Sequence, residues 1–454
     1  MAPDKPLLPS FHVYVRLRPS SSNESSVVPP ELNITQDEGS RSISLSTKLE
    51  SGPIRKWHSV TPFARMFSGS ATNGDVYEET VKPALAQVMD GNTCNFFAYG
   101  HSGSGKTHTI IGYEYDNAAN LGLCLSAARD LFRAIGEQDR ETKSSDPDAE
   151  HDKDILGIAV RLYEVRGKCA FDLFNGAAEC HIRQGPDGQT HIRGQTEMLE
   201  GGKVRVCPIV AKPFWSFDEL RQVLLAGLKL RAVGSSSTHN ESSRTHAFIE
   251  LEVVSRTLLE AREAVIERES ELVPVGKRAT DVYLEEQMKS LIRTDNGQYI
   301  QNPERPLNQG AIDAAETEKG NYEARLERAK ERVRDCLLAS RDRCLGGKFV
   351  FVDLAGSEYF DQEAETSLKQ TPRERQQGRQ INADLFGLKE VIRAKASGQV
   401  RVPFRSSPLT MVLRSHFDGT NEGRSSIILT VSSLEAHFAA TKNTLSYGAL
   451  ISGR

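Results

Sequence analysis

The amino-acid sequence predicts an α/β fold with a central mixed β-sheet and helices on both faces, and three observations carry the prediction. The run 94–100 (CNFFAYG) is apolar on both parities, as a strand covered on both faces has to be. Segment 247–254 (AFIELEVV) instead alternates, with Ile249, Leu251 and Val253 on one side and Glu250 and Glu252 on the other. Strand-like and helix-like segments also interleave along most of the chain, the pattern of a layered α/β domain.

Taken in order, 11–18 (FHVYVRLR) reads as a strand stopped by Pro19 and a serine-rich stretch. Residues 19–60 read as loops and short strands. Val76, Leu85 and Val88 recur at helical spacing over 75–89, and Asp90-Gly91 ends that helix. Strand 94–100 follows, then a helix at 122–136, a polar loop at 137–154 and a strand at 158–165. Ser216 and Glu219 have the spacing of a capping box and open a helix through Leu230. Beyond the strand at 247–254, residues 255–346 change texture to Glu, Arg, Lys and Ala at helical spacing, broken by a polar stretch near 295–310. This is an insertion in two helical arms. Tyr322, Leu326, Val333 and Leu337 draw a narrow apolar stripe on the second arm, which suits either a solvated helix packed on its neighbour or a docking face for a protein partner. A strand at 347–353, helices at 374–396 and 406–416, a strand at 425–431 and a helix from Ala436 complete the order.

The 454 residues, 38% apolar and 26% charged, are ordinary globular material, enough for one large domain with insertions or for two to three smaller ones. The seven Cys are scattered, with no C-x-x-C pair and no Cys/His cluster, so neither a zinc module nor a disulfide framework is indicated and a reducing interior is expected. No stretch has the length and apolarity of a membrane span. A net charge of -4 gives no overall attraction to nucleic acid or anionic lipid, and neither is expected as a partner.

Chemistry concentrates at Gly100-His101-Ser102-Gly103-Ser104-Gly105-Lys106-Thr107, a G-x-x-x-x-G-K-T sequence between a buried strand and a helix. Phosphate oxygens must come close to such a main chain, and side chains at Gly103 or Gly105 would obstruct them. Backbone N–H groups cradle the anion, Lys106 neutralises β/γ charge and Thr107 offers its hydroxyl to Mg²⁺. Hydrolysis needs a second carboxylate near the metal and a loop that senses the γ-phosphate. Asp353 ends a buried strand and is followed by Leu354-Ala355-Gly356-Ser357-Glu358. Ser242-Ser243-Arg244-Thr245-His246 supplies two hydroxyls and a cation just before the strand at 247.

Together with 16–19 (RLRP), 403–410 (PFRSSPLT) and 443–448 (NTLSYG), the segments GHSGSGKTHT, SSRTHA and DLAGSE occur in the order in which they stand in kinesins. The chain resembles a kinesin motor domain over 1–454, interrupted by the insertion at 255–346. The resemblance implies a P-loop NTPase of kinesin type, a microtubule-stimulated ATPase that uses ATP and Mg²⁺, with tubulin as its partner and the cytoplasm and cytoskeleton as its place. It implies that Arg16, Arg18, Pro19 and His108 border the adenine, and that Ser243 joins Thr107 and Asp353 around the metal. Ser242 would position the attacking water, Gly356 would sense the γ-phosphate, and Arg244 would pair with Glu358 as the two switches close.

The departures are local. His239 stands where the family has Asn, and Ala383 and Pro408 replace two lysines of its tubulin-facing surface. Eight basic residues (373, 375, 379, 389, 393, 395, 401, 405) against three acidic ones (374, 384, 390) compensate in part. The run 388–394 (LKEVIRA) is similar to one in the internal-motor, microtubule-depolymerising kinesins.

Overall fold

The computed structural model describes residues 11–452 other than 20–30, 48–53, 114, 116, 118, 146–154, 186–187, 232, 235–241, 294, 296, 339–341, 358–371 and 418–421. The chain forms two compact units, Met1–Ile192, Ile209–Val253 and Arg343–Arg454 making the first, Arg193–Pro208 and Val254–Asp342 the second.

The sheet of the first unit comprises β1 (Phe11–Leu17), β2 (Arg65–Phe67), β3 (Thr93–Tyr99), β4 (Leu156–Arg166), β5 (Cys169–Asp172), β6 (Ala178–Gln184), β7 (Ala211–Phe214), β8 (His246–Ser255), β9 (Lys348–Asp353) and β10 (Glu422–Val431). Its order is β6-β5-β4-β8-β9-β3-β10-β1-β2, with β7 paired to β4. Strands β9, β3, β10, β1 and β2 run parallel, while β8 is antiparallel to β9, so the sheet is mixed as predicted. Val13, Phe97, Val352, Ile427 and Leu429 pack into one core cluster with Leu385, Leu388 and Leu445. Their strand neighbours Tyr14, Phe96, Phe351 and Ile428 are buried too. Successive strand residues point to opposite faces, so both faces are covered. Phe96 stacks on Phe351 with ring centroids 5.4 Å apart, tying β3 to β9 directly beneath the glycine-rich loop.

The longer helices of this unit and the one after the glycine-rich loop are α1 (Asn73–Thr80), α2 (Lys106–Ile110), α3 (Leu123–Ser145), α4 (Phe217–Leu228), α7 (Pro372–Ala396), α8 (Pro408–Phe417) and α9 (Phe438–Ser452), a further short helix spans Leu85–Met89, and α5 and α6 belong to the second unit. Thr72 and Asp75 form a reciprocal capping box on α1. The single helix expected over 75–89 is broken, because Pro83 enters a 3₁₀ turn at Lys82–Ala84 and cannot continue the hydrogen-bond ladder. Conversely, α3 runs to Ser145 through residues expected to be loop. Glu137, Arg140, Glu141 and Lys143 are polar but good helix formers, so polarity there does not end the helix.

The second unit pairs α5 (Arg256–Lys289) with α6 (Gln309–Leu338) along their lengths, joined through a two-stranded ribbon, Leu291–Arg293 with Tyr299–Gln301. Of the apolar stripe on α6 only Leu326 is buried, together with Ile312 and Ala315, and Leu337 is exposed. The unit also includes the strand segment Val204–Pro208, which lies against α5 with Arg205 paired to Glu263 and Lys203 3.3 Å from Glu271. That segment lies well before the 255–346 insertion in sequence.

Candidate nucleotide site

The phosphate loop leaves the carboxyl end of β3, and Asp353, in register with Ala98, ends the neighbouring parallel strand β9. Ligands of open α/β sheets bind at this edge. Gly100 is demanded by close packing, since a Cβ there would strike the Thr430 carbonyl and the Ser104 hydroxyl. Gly105 differs from expectation. A Cβ would meet nothing within 4 Å, and what requires glycine is its left-handed backbone at φ 103°. Gly103 is left-handed as well, at φ 75°. The Ser104 hydroxyl turns away from the loop's mouth to Thr430 Oγ1 at 2.7 Å. The following helix α2 is only five residues long, so the loop's own N–H groups, rather than a long helix dipole, face an anion.

Lys106 is buried and donates to the carbonyls of Gly100 at 3.1 Å and His101 at 2.9 Å. Burial lowers its pKa to about 8, against the opposing pull of Asp353. His101 donates from Nδ1 to the Ser102 carbonyl at 2.7 Å, since a carbonyl can only accept, and its ring lies 4.9 Å from that of His437. Burial, with Lys106 and His437 beside it, depresses His101 to about 3, so this imidazole is neutral at physiological pH.

Thr107 donates to Asp353 Oδ2 at 2.7 Å, which brings the two expected metal groups together. The same oxygen accepts from Arg231 Nη1 at 2.5 Å, and Arg231 also bonds Thr245 O at 2.7 Å, while Thr245 Oγ1 donates to Glu164 at 2.8 Å. Asp353, Arg231, Thr245 and Glu164 are all buried. This network was not predicted. Arg231 stands 122 residues from Asp353, and its only local sign is a position just beyond α4 and shortly before the Ser242-Ser243-Arg244 segment.

Gly356 lies against the phosphate loop, and a Cβ there would fall 2.7 Å from both the N and Cα of Ser102. Ser357 N donates to the Gly100 carbonyl at 3.2 Å, holding the two segments side by side. One residue earlier, Ala355 N donates to His246 Nδ1 at 3.1 Å. Arg244 is buried two residues before β8. The backbones of Ser242 and Ser243 pair with Gly234 and Val233. Glu358 and His239 lie outside the described residues. On the adenine side, Arg16 is bound internally, to Asn73 Oδ1 at 2.5 Å and Thr109 Oγ1 at 2.9 Å, while Arg18 donates to Gly103 O at 2.6 Å. Pro19 is exposed, and His108 stacks on Tyr113 at 4.3 Å.

Among the described residues, buried oxygens and nitrogens without hydrogen-bond partners gather here. Asp353 Oδ1, Ser102 Oγ, Ser357 Oγ and His101 Nε2 all belong to the loop and to the segment beside it. Orphans of this kind in one place fit a bound polar group. Mg²⁺ held by Thr107 and Asp353, with triphosphate along 100–107, matches that donor set. When bound, the metal would neutralise β/γ charge.

A mixed sheet ending in this loop, with an aspartate on the neighbouring strand, defines a P-loop nucleoside triphosphatase. The kinesin motor domain profile matches residues 16–275 and 327–452, and the chain belongs to that family. It is similar to the human kinesin-like protein KIF24, 25% identical over 439 residues, or 96% of this chain and 23% of that protein. It is similar also to the kinesin-like proteins KIN-13A of Oryza sativa subsp. japonica (26% identity, 85% of this chain, 34% of that protein) and KIN-13B of Arabidopsis thaliana (25%, 96% and 46%). The chain therefore spans less than half of each of these relatives. Among solved structures, it shares its fold with the KIF14 391–772 dimer bound with AMP-PNP to a microtubule, at a TM-score of 0.58 and 18% identity over 98% of this chain and 94% of that one. The motor domain of the Kar3-like kinesin from Ashbya gossypii gives 0.55 and 18%, over 97% and 99%. Among the described residues, no helix is long and apolar enough to cross a membrane.

Proposed function

We propose that this chain is a microtubule motor domain in which Mg-ATP binding and hydrolysis at 100–107 drive a switch read out at a tubulin-binding surface. The observation that carries the reading is the contact of Gly356 with Ser102, which puts a backbone N–H donor beside the loop where a γ-phosphate would lie. In this reading Ser242 positions water, Ser243 joins Thr107 and Asp353 at the metal, and Arg244 pairs with Glu358. The adenine lies near Arg18, Pro19 and His108, with Arg16 bracing that wall from beneath through Asn73. Setting and partner are those of the cytoskeleton.

The surface proposed for tubulin is one side of α7 and the turn after it. Arg375, Arg379, Arg393, Arg401 and Arg405 are exposed there, alongside Ala383 and Phe386. His239, Ala383 and Pro408 also motivate a second reading, a low-turnover or degenerate kinesin-like protein that acts as a nucleotide-gated module binding tubulin or another partner, or as a microtubule depolymerase. Steady-state ATPase with and without microtubules separates the two. A low basal rate that rises sharply supports the motor, and a flat low rate supports the second reading. Ala383→Lys combined with Pro408→Lys is expected to tighten microtubule co-sedimentation by up to about 1 kcal/mol per added cation and to steepen its salt dependence. Unchanged co-sedimentation would remove this side of α7 from the interface.

A further inference from the structure

His246 opens β8, directly after the segment that carries Ser242, Ser243 and Arg244. Because Ala355 N–H donates to its Nδ1, the ring's own proton sits on Nε2. That Nε2 is buried without a hydrogen-bond partner among the described residues, a rarity in folded chains. It faces Asp384 Oδ2 of α7 at 3.8 Å, with both side chains almost fully buried. Gln380 donates to Asp384 Oδ1 at 3.0 Å, and Ser407, at the turn into α8, also bonds the carboxylate.

We propose that Asp384 is a positioning residue for ATP turnover. Its carboxylate orients the His246 ring, and the ring fixes the Ala355 amide and with it the neighbouring Gly356 N–H. This inference deepens the motor reading above and rests on it. The separation of 3.8 Å is too long for a hydrogen bond, and a movement of about an ångström closes it to one. Closing that distance draws α7 toward the start of β8, so the same contact ties the helix to the segment that adjoins the phosphate loop. The family pattern I-N-K-S-L has serine at this position, shorter and uncharged. The acid is a feature of this chain.

The charge states suit the role. Burial raises Asp384 to about 6, against the hydrogen bonds from Gln380 and Ser407. Burial lowers His246 to about 3, and beyond its ring stand Arg231, Asp353 and Lys106. At neutral pH the pair is therefore an ionised carboxylate facing a neutral imidazole N–H. As pH falls through about 6 the carboxyl takes up a proton and that attraction is lost.

Asp384→Asn removes only the charge, and Asp384→Ser installs the shorter, uncharged residue of the family pattern. Both are expected to lower basal kcat about tenfold while ATP KM stays within about twofold, because positioning acts in the transition state. Wild-type kcat should also drop below pH 6, and Asp384→Asn should lack that step. Independently, in protein selectively labelled with ¹⁵N-histidine, the His246 signal should show the Nε2–H tautomer and shift with an inflection near pH 6 that Asp384→Asn abolishes. Unchanged kcat in both variants, or an inflection that survives Asp384→Asn, overturns the proposal. A wild-type protein without ATPase activity overturns the motor reading instead, and the imidazole inflection then decides on its own whether Asp384 orients His246.

Discussion

Lys106→Ala is expected to abolish tight Mg-ATP binding while leaving the unliganded protein folded. The ammonium is buried and, among the described residues, donates to the carbonyls of Gly100 and His101. Truncating it leaves Gly100 O still accepting from Ser357 N, and it removes the cost of burying a charge. What disappears is the point charge for the β/γ-phosphates. Charged hydrogen bonds contribute about 1.5–3 kcal/mol each, so losing one or two predicts an affinity lower by roughly one to four orders of magnitude. Fluorescent-nucleotide titration measures this, with thermal unfolding as the control. An unchanged affinity removes Lys106 from the site.

Gly356→Ala is expected to do the opposite, sparing affinity and stopping turnover. The added methyl cannot share space with Ser102 N and Cα at 2.7 Å, so the 354–357 segment must back away from the phosphate loop. The glycines of the loop and Lys106 still hold ATP. A displaced N–H no longer meets the charge that develops on the γ-phosphate, and a misplacement of about 1 Å costs about 100-fold in rate. Single-turnover kinetics should show nucleotide affinity within a few-fold of wild type and a hydrolysis step slowed by about that factor. Normal hydrolysis would exclude Gly356 as the γ-phosphate sensor.

The parts of the site that a sequence can show are those whose chemistry is contiguous. Gly100 to Thr107 form one loop whose backbone demands are met locally, and Asp353 announces itself by ending an apolar run. Arg231 and Glu164 could not be found in this way, because they meet Asp353 and Thr245 only after β4, β8 and β9 have paired. Asp384 counted in the sequence only as one acid among the basic residues of 373–405, and its contact with His246 depends on how α7 packs. The fold's strands were largely legible through burial on both parities. Helix ends were less so: a proline inside 75–89 and helix-forming polar residues beyond 136 act against simple periodicity. The placement of 204–208 against α5 rests on complementary charge, Arg205 with Glu263, which no local pattern announces.

The two carbonyls that hold Lys106 have a kinetic consequence. In the proposed motor reading, nucleotide entry at this loop is expected to be an exchange of partners, with a phosphate taking the place of Gly100 O and His101 O at the Lys106 ammonium. Association is then gated by a rearrangement of the chain and falls below the rate of diffusional encounter. Because the cation is buried, ions in the surrounding buffer screen it weakly. Loading through this exchange is therefore expected to depend only weakly on ionic strength.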